Sequence, residues 1–480
     1  MNRPNVLLFI MDDQTSQTIG ALGNPHISTP SLDALVGAGC WLRPYTTVPV
    51  CQPARAELLT GRNAFQNGCR WFGEPMDPEI TLLPQALADA GYHCCHVGKW
   101  HNEGHPREKG YHETWRVFPN DLAEPYIGHW QAYRENGKIV IGHSTELFCE
   151  ATTEFLHRAT TTQPWFCYCA LLSPHDPRTA PEPWKSMYDR RPPPLPPNYM
   201  PEHPFDNGDM MIRDERLAGF PRRQEEVLRH RADYYAMISH HDHSIGQVLH
   251  ALDQTGQRDN TLVVFTSDHG LAVGCHGLMG KENLYEHSAR VPLILQGPGI
   301  PVGKRCDECL CGHYDLMPTL MEYLGVEAPT TSQGLSYMPV LRGEIPTVRQ
   351  TLCAAYRDCM RMARDGRFKM IYYPHIGRTQ LFDTLSDPDE TNDRMTSWRS
   401  HPESRCVPPS LSPTQQSCPP DPDPGRSAPP NNSFAGAHPV FNPAYEPAVR
   451  PAEVEAIIQR LRSTLAAWQE ENNDPVRASQ

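Results

Sequence analysis

The 480-residue sequence contains no apolar run near the ~18–20 residues that a membrane-spanning helix needs. It also has no excess of basic residues, since 43 Lys and Arg stand against 56 Asp and Glu, a formal net charge of -13. General nucleic-acid binding depends on a basic face that displaces counterions. We therefore expect neither a membrane nor a nucleic acid as a partner. An anionic ligand stays possible, because a local positive site can lie in a negative protein.

The N-terminal residues do not resemble a secretory leader. The apolar run at 6–11 is short, and it ends in Asp12 and Asp13 instead of small residues and a cleavage site. These features predict a cytoplasmic protein, although a periplasmic or secreted protein that had lost its leader would look the same. The 16 cysteines are accordingly expected to be free thiols.

Short apolar runs alternate with helical patterns over the first two-thirds of the chain. This alternation predicts an α/β fold with a large, mainly parallel sheet flanked by helices. Two of the predicted strands end in acidic residues, at Asp12–Asp13 and at Asp268, which could meet at one edge of the sheet. The predicted strands are 6–11, 165–172 and 262–267, and the predicted helices are 82–90, 144–157 and 225–255.

The pattern changes near residue 350. Residues 352–362 and 367–373 read as strands around a turn at Asp365-Gly366. We therefore predict a catalytic α/β domain over 1–350 and a smaller α+β subdomain with an antiparallel sheet over 351–480. Within the subdomain, residues 398–451 are rich in Pro, Ser and Asn and are expected to form a flexible or extended surface segment. Residues 452–471 have the apolar stripe of an amphipathic helix that packs onto the body.

The most informative motif is Cys51-Gln52-Pro53-Ala54-Arg55, followed by Leu59-Thr60-Gly61-Arg62. A cysteine four residues before an arginine is, by itself, more typical of a helix N-terminus with a buried thiol. Together the two motifs resemble the signature of type I, formylglycine-dependent sulfatases, and the resemblance continues along most of residues 4–393. It implies the fold of the alkaline phosphatase superfamily. It also implies that a formylglycine-generating maturation enzyme oxidises Cys51 to an aldehyde.

The resemblance implies one divalent cation, held by Asp12, Asp13, Asp268 and His269 together with the modified Cys51. Paired aspartates after a strand more often begin a loop or cap a helix when seen alone. Three carboxylates favour a hard cation, with Ca²⁺ first and Mg²⁺ as an alternative. His269 keeps Mn²⁺ open, because imidazole also suits transition ions.

The same resemblance assigns catalytic roles to six residues, beginning with Cys51. One hydroxyl of its hydrated aldehyde attacks sulfur, and the second hydroxyl then loses its proton and expels sulfate. Without the resemblance, Lys99 would be interpreted as a surface lysine and His101 as a histidine whose hydrogen bonds are satisfied within the protein. By resemblance, Arg55 holds the diol, Lys99 and Lys281 bind sulfate oxygens, His101 hydrogen-bonds the diol, and His175 protonates the leaving oxygen.

The resemblance thus implies a sulfatase that hydrolyses a sulfate monoester, and we expect a small sulfated saccharide as its substrate. Arg107, Arg178 and Arg213 could pair with a carboxylate or a second sulfate of such a saccharide. Choline sulfate and aryl sulfates are alternative substrates. Two alternative functions are a phosphonate or phosphate ester hydrolase of the same superfamily, and a non-catalytic relative that binds sulfated glycans.

Overall fold

A computed structural model describes residues 3–123, 128–135, 137–395 and 452–476. The strands are β1 Asn5–Met11, β2 Cys40–Leu42, β3 His93–Lys99, β4 Glu113–Phe118, β5 Trp130–Glu135, β6 Lys138–His143, β7 Trp165–Ala170, β8 Thr261–Ser267, β9 Leu293–Gln296, β10 Lys304–Arg305, β11 Leu352–Tyr356, β12 Met360–Arg364, β13 Phe368–Tyr373 and β14 Arg378–Asp383. The α-helices are α1 Pro30–Ala38, α2 Cys51–Thr60, α3 Ala64–Asn67, α4 Leu83–Asp89, α5 Ser144–Arg158, α6 Trp184–Arg190, α7 Gln224–Gln254, α8 Glu286–Ala289, α9 Leu316–Leu324, α10 Met338–Arg342 and α11 Ala452–Glu471. No helix in this described part of the chain is long and apolar enough to cross a membrane.

Eight strands form one large sheet in the order β10-β2-β9-β8-β1-β7-β3-β4. The central strand β1 pairs in parallel with β7 and with β8, and β3 pairs in parallel with β7 and β4. β9 runs antiparallel to both β8 and β2. The predicted α/β fold with a large, mainly parallel sheet is therefore confirmed.

Helices cover both faces of this sheet, which explains why β1 is an unbroken apolar run. Alternate side chains of β1 point to opposite faces. Val6, Leu8 and Ile10 pack into a core with Leu58 of α2, Leu83 of α4 and Leu316 of α9. Leu7, Phe9 and Met11 pack into the opposite core with Leu32 of α1, Phe148 of α5 and Val248 of α7.

The parallel strands bring several polar segments to one edge of the sheet. Asp12 follows β1, Asp268 follows β8, and the loop that contains His175 follows β7. Lys99 is the last residue of β3. Because the carboxyl ends of neighbouring parallel strands share an edge, this is where a ligand site is expected in an open α/β sheet.

A second sheet, in the order β11-β12-β13-β14, is antiparallel throughout, as predicted for the C-terminal part of the chain. The prediction of a single strand over 352–362 is wrong. Tyr356 pairs with Met360, so the chain reverses through Arg357, whose φ of 46° lies in the left-handed region. The turn contains neither glycine nor asparagine, and Asp358 is its single residue of a type that favours turns.

The predicted terminal helix is confirmed as α11, and it covers one face of the antiparallel sheet. Val454, Ile458 and Leu461 pack with Met370 of β13 and Leu381 of β14 in a separate core. The predicted flexible segment 398–451 lies outside the described residues. The domain boundary at residue 350 stays a prediction.

Candidate active site

Backbone hydrogen bonds join the ends of β1 and β8 and so fix the acidic residues that follow them. The N–H of Asp268 donates to the carbonyl of Met11 at 3.1 Å, and the N–H of Asp13 donates to Asp268 Oδ1 at 3.2 Å. Asp13 has a φ of 75°, an unusual conformation for a residue other than glycine. Such backbone conformations concentrate at functional sites, where the surrounding structure holds them in place.

Cys51 is the first residue of α2, and its side chain lies inside this acidic group. The thiol Sγ is 3.3 Å from Asp12 Oδ1, 3.2 Å from His269 Nε2 and 3.5 Å from Lys281 Nζ. The residue is only 1% exposed. The fold thus brings a thiol, a carboxylate, an imidazole and an ammonium from three segments of the chain together, with His269 and Lys281 both in the loop after β8.

Three cations neutralise the carboxylates around Cys51. Arg55 Nε is 3.0 Å from Asp268 Oδ2, and Lys281 Nζ is 3.0 Å from Asp13 Oδ1. Lys99 forms a buried ion pair with Asp12. Buried ions persist only when they are paired or bound to a metal, so these contacts hold the positive charges at fixed positions.

The two adjacent aspartates differ in their pKa. Burial disfavours ionisation of Asp12, but the charges of Lys99, His175, Arg55 and Lys281 outweigh burial and hold its pKa well below the usual value. Burial dominates at Asp13 and raises its pKa to about 6, because Lys281 and His269 offset it only partly.

His269 shows the opposite balance. Burial lowers its pKa, but Asp268, Cys51 and Asp13 outweigh burial and raise the pKa to about 10. The imidazole is thus protonated when it faces the acidic group alone. A cation bound at Nε2 would have to displace this proton.

The acidic group fits a divalent cation. Asp12, Asp13, Cys51 and His269 each offer a ligand atom, and these atoms lie within 4.8 Å of one another. Asp268 lies beside them, with its Oδ1 3.6 Å from His269 Nε2. Asp13 Oδ2 is buried and accepts no hydrogen bond from any described residue, which is costly unless a cation binds there.

His175 lies on the β7 side of the site with a defined orientation. Its Nδ1 is 2.7 Å from the carbonyl of Asp176, to which it can only donate, and its Nε2 is 4.0 Å from Asp13 Oδ2. The second ring nitrogen therefore faces the acidic group. An N–H at that position could reach a leaving oxygen.

His101 lies at the border of the site, beside the ring of Phe72. Burial, reinforced by the charge of Lys99, lowers its pKa well below the usual value, and its Nδ1 has no hydrogen-bond partner among the residues described. His101 lies two residues beyond the end of β3, and its φ of 59° is in the left-handed region. The stretch from Lys99 to His101 is therefore not an extended strand with both side chains on one face.

The structure thus brings together the residues to which the sequence analysis assigned roles, while the roles themselves stay predictions. The three arginines proposed for a substrate anion differ in their surroundings. Arg107 is exposed and donates to Thr114. Arg178 stacks on Tyr234 beside His230. Arg213 is already paired with carboxylates.

The sequence analysis did not identify Asp176 and Asp214 as site residues. Asp176 could have been suspected, because it directly follows His175. Asp214 lies 67 positions before Lys281 in the chain, and no motif connects the two, although Asp214 Oδ2 is 3.4 Å from Lys281 Nζ.

Comparison with known protein families agrees with this geometry. Residues 4–326, more than half of the chain, match the family model described as Sulfatase. Residues 274–403 match a model described as N-sulphoglucosamine sulphohydrolase, C-terminal.

Individual relatives point in the same direction. The chain is 27% identical to an arylsulfatase of Clostridium perfringens, over 82% of this chain and 91% of that protein. It is 24% identical to an N-acetylglucosamine-6-O-sulfatase of Bacteroides thetaiotaomicron, over 82% of each chain. A solved structure in complex with its substrate D-glucosamine-2-N,6-O-disulfate matches with a TM-score of 0.76 and 21% identity over 100% of both chains. At that identity the solved structure is evidence for the fold.

Proposed function

Because the chain belongs to the sulfatase family of the alkaline phosphatase superfamily, and so is a sulfuric ester hydrolase, we propose that it hydrolyses a sulfate monoester of a small sulfated carbohydrate. The position of Cys51 carries this proposal. The thiol is buried at the start of α2, within 3.5 Å of Asp12, His269 and Lys281. The choice of a carbohydrate rests on the relatives named for sulfated sugars.

The proposed reaction needs two groups besides the unmodified chain. A formylglycine-generating maturation enzyme would oxidise Cys51, and the hydrated aldehyde would supply one hydroxyl to attack sulfur and a second to expel sulfate. Asp12, Asp13, Asp268 and His269 would hold a divalent cation that lowers the pKa of the hydroxyl and neutralises sulfate oxygens. The carboxylates favour Ca²⁺, with Mg²⁺ or Mn²⁺ as alternatives.

The remaining chemistry comes from side chains that the fold already holds in place. Arg55, Lys99 and Lys281 present positive charge to the sulfate and to the modified Cys51, and their buried partners prevent them from turning away. Charge that is fixed before the reaction needs no reorganisation during it.

His175 would donate the proton that the leaving sugar oxygen requires. Its Nδ1–H is engaged by the carbonyl of Asp176, so the proton that can be delivered is on Nε2, on the side of Asp13. General-acid catalysis of this kind contributes about 10²–10⁴-fold to a rate. His101 follows Lys99 by two residues and would contact the modified Cys51.

Sulfate release tests the proposal directly. The protein would be co-expressed with a formylglycine-generating enzyme and given sulfated mono- and disaccharides, choline sulfate, 4-nitrophenyl sulfate and the matching phosphate esters. We expect the parent to prefer a sulfated saccharide. Cys51→Ala should lose at least about 1,000-fold in rate, since it lacks the nucleophile. Cys94→Ala, which removes another buried thiol on β3, is the matched control and should stay active.

Three other outcomes would contradict parts of the proposal. Faster turnover of phosphate than of sulfate esters would favour the phosphonate or phosphate hydrolase. A preference for choline sulfate or an aryl sulfate would change the substrate class alone. Tight binding of sulfated saccharides without turnover, with the Cys51 aldehyde confirmed by mass, would favour a non-catalytic relative.

A further inference from the structure

Arg213 occupies a position between two carboxylates that border the site. Its Nη1 and Nη2 are 2.7 and 2.8 Å from the two oxygens of Asp176, a bidentate contact that matches the planar guanidinium. Its Nη2 is also 2.5 Å from Asp214 Oδ1. The Arg213 side chain is 29% exposed, and the two aspartates are 10% and 3% exposed.

The first of these carboxylates belongs to the residue that orients His175. The carbonyl of Asp176 accepts the Nδ1–H of His175 at 2.7 Å, and Asp176 Oδ1 lies 3.4 Å from the same nitrogen. By holding Asp176 with two hydrogen bonds, Arg213 restricts the peptide that directs Nε2 toward the site.

The second carboxylate contacts a cation on the sulfate side. Asp214 Oδ2 is 3.4 Å from Lys281 Nζ. The same ammonium lies 3.0 Å from Asp13 Oδ1 and 3.5 Å from Cys51 Sγ. Lys281 is therefore held from two sides, by Asp13 within the acidic group and by Asp214 from the loop that carries Arg213.

These contacts form one continuous series from Lys281 through Asp214, Arg213 and Asp176 to His175. We propose that Arg213 is a positioning residue that couples the leaving-group side of the site, at His175, to the sulfate side, at Lys281. This inference rests on the proposed function. It differs from the earlier expectation that Arg213 binds a substrate anion, because the fork of the guanidinium already binds Asp176.

The physical basis is geometric. His175 follows β7, and Lys281 lies in the loop after β8, so the large sheet fixes the two residues through different strands. A misplacement of about 1 Å between reacting groups can lower a rate by about 10²-fold. Arg213 binds Asp176 in the first loop, and Asp214, the next residue in the chain, contacts Lys281 in the second, so one short segment links the two loops and reduces their relative motion.

Two sulfate esters distinguish the link from Arg213 to His175 from the link to Lys281. A sugar sulfate has an alcohol leaving group that needs the proton of His175, whereas 4-nitrophenyl sulfate has a stable leaving group that needs little protonation. The variants are Arg213→Gln, Arg213→Lys and Asp176→Asn. Arg216→Gln is the matched control, since Arg216 is exposed in the same short helical turn.

We expect Asp176→Asn to lower kcat on the sugar sulfate by about 10–100-fold, a part of the general-acid contribution, and to change 4-nitrophenyl sulfate turnover less than about threefold. Arg213→Gln should cost about 100-fold on the sugar sulfate and about tenfold on the aryl ester, because it also leaves Asp214 without its guanidinium partner, so that the carboxylate and Lys281 can shift. Arg213→Lys should recover part of the aryl ester activity, since it restores the positive charge but not the planar pair of donors of the guanidinium.

The double variant Arg213→Gln/Asp176→Asn should be no slower on the sugar sulfate than Arg213→Gln.

Binding of inorganic sulfate, measured by calorimetry, tests the link to Lys281 without turnover. Arg213→Gln should weaken it about tenfold, whereas Asp176→Asn and Arg216→Gln should leave it unchanged. Equal losses on both esters would overturn the link to His175, and unchanged sulfate affinity would overturn the link to Lys281. If the parent hydrolyses no sulfate ester, the proposed function fails, and the sulfate affinities alone then decide the role of Arg213.

If Arg213→Gln does not fold, as judged by its melting temperature, Arg213→Lys and Asp176→Asn provide the same comparison. In that case a sugar-to-aryl ratio in Asp176→Asn equal to that of the parent overturns the proposal.

Discussion

Two clusters of buried ions lie in different parts of the molecule, and they differ in how completely their charges are paired. The site cluster contains Asp12, Asp13, Cys51, Arg55, Lys99, Asp268, His269 and Lys281 at the edge of the large sheet. The interface cluster contains Tyr45, Glu286, Arg290, Arg364, Lys369 and Glu390, and it joins the antiparallel sheet to the rest of the body.

The interface cluster is closed, in the sense that each carboxylate oxygen of Glu286 and Glu390 has a cation or a hydrogen-bond donor within 3.2 Å. Glu286 accepts a hydrogen bond from Tyr45 at 2.6 Å and one from Lys369 at 3.0 Å, and its other oxygen is 3.2 Å from Arg290. Lys369 also pairs with Glu390 at 2.8 Å, and the second oxygen of Glu390 accepts the backbone N–H of Glu286 at 2.7 Å. Lys369 and the two arginines outweigh the effect of burial and hold the pKa of Glu286 below its usual range. At Glu390 burial dominates and raises the pKa to about 7, although Lys369 offsets it in part.

The site cluster also combines carboxylates with arginine and lysine, but it is not closed. Asp13 Oδ2 accepts no hydrogen bond within the described ranges of the chain, and burial raises the pKa of Asp13 to about 6. A fully paired ionic cluster can serve stability alone. An incompletely paired one keeps the capacity to bind a ligand.

The largest expected effect comes from Asp13→Asn, which tests whether the unpaired oxygen serves a cation. We expect sulfate release to fall by at least about 1,000-fold, comparable to the loss of a principal electrostatic contact. The melting temperature in the presence of a chelator should change little, because Lys281 keeps Asp214 as a partner when the Asp13 charge is removed. Calorimetry with Ca²⁺ and Mn²⁺ should show weakened binding.

Glu390→Gln in the interface cluster is the matched control for Asp13→Asn. It should retain cation binding, since Glu390 pairs with Lys369 and lies outside the site cluster. Equal cation affinity in Asp13→Asn and the parent would contradict the comparison of an open with a closed cluster.

The next largest effect concerns the closed cluster. Lys369→Met leaves Glu286 and Glu390 without their shared cation and should lower the free energy of unfolding by about 3–5 kcal/mol. Urea unfolding followed by circular dichroism measures this. Lys138→Met, at an exposed position on β6, should change stability by less than about 0.5 kcal/mol. A loss below about 1 kcal/mol for Lys369→Met would show that the interface cluster contributes little.

The two clusters also differ in how far the sequence predicts them. Apolar runs ending in Asp12 and Asp268 placed both acids at one sheet edge, because parallel strands in an α/β fold end on the same side. The resemblance then added Cys51 and Lys281, and the structure brings these residues into contact. The site was predictable because its residues stand at strand ends and in a recognisable motif.

The interface cluster was not predictable in this way. Lys369 lies within β13 among apolar residues, and a lysine there would be expected to face solvent. It is buried instead, and its partner Glu286 is 83 positions earlier in the chain. The pairing of Arg213 with Asp176, which spans 37 positions, was not predictable for the same reason. The local sequence pattern indicates on which face of its own helix or strand a residue lies. It does not indicate which distant element packs against that face.

The smallest expected effect concerns Glu57, a buried acid on α2 whose partners are neutral donors. It accepts the N–H groups of Thr47 at 3.1 Å and Ala64 at 3.3 Å and the hydroxyl of Thr47. Burial nevertheless dominates and raises the pKa of Glu57 to about 8. The folded protein thus keeps a proton that the unfolded chain, with a glutamate pKa of about 4.3, releases.

The sign of the pH dependence follows from this difference. Between pH values of about 4.3 and 8 the folded state binds more protons than the unfolded state, so this contribution to stability is present at low pH and is lost as the pH rises toward 8. Glu57→Gln removes the titration. Relative to the parent, the variant should therefore gain about 1–2 kcal/mol between pH 6 and pH 9 in urea unfolding, while exposed Glu79→Gln should not. A difference independent of pH would mean that Glu57 is already ionised at pH 6, and that neutral donors alone can hold a buried carboxylate beside the helix of Cys51. The contrast between open and closed clusters would then depend on hydrogen-bond donors as much as on cations.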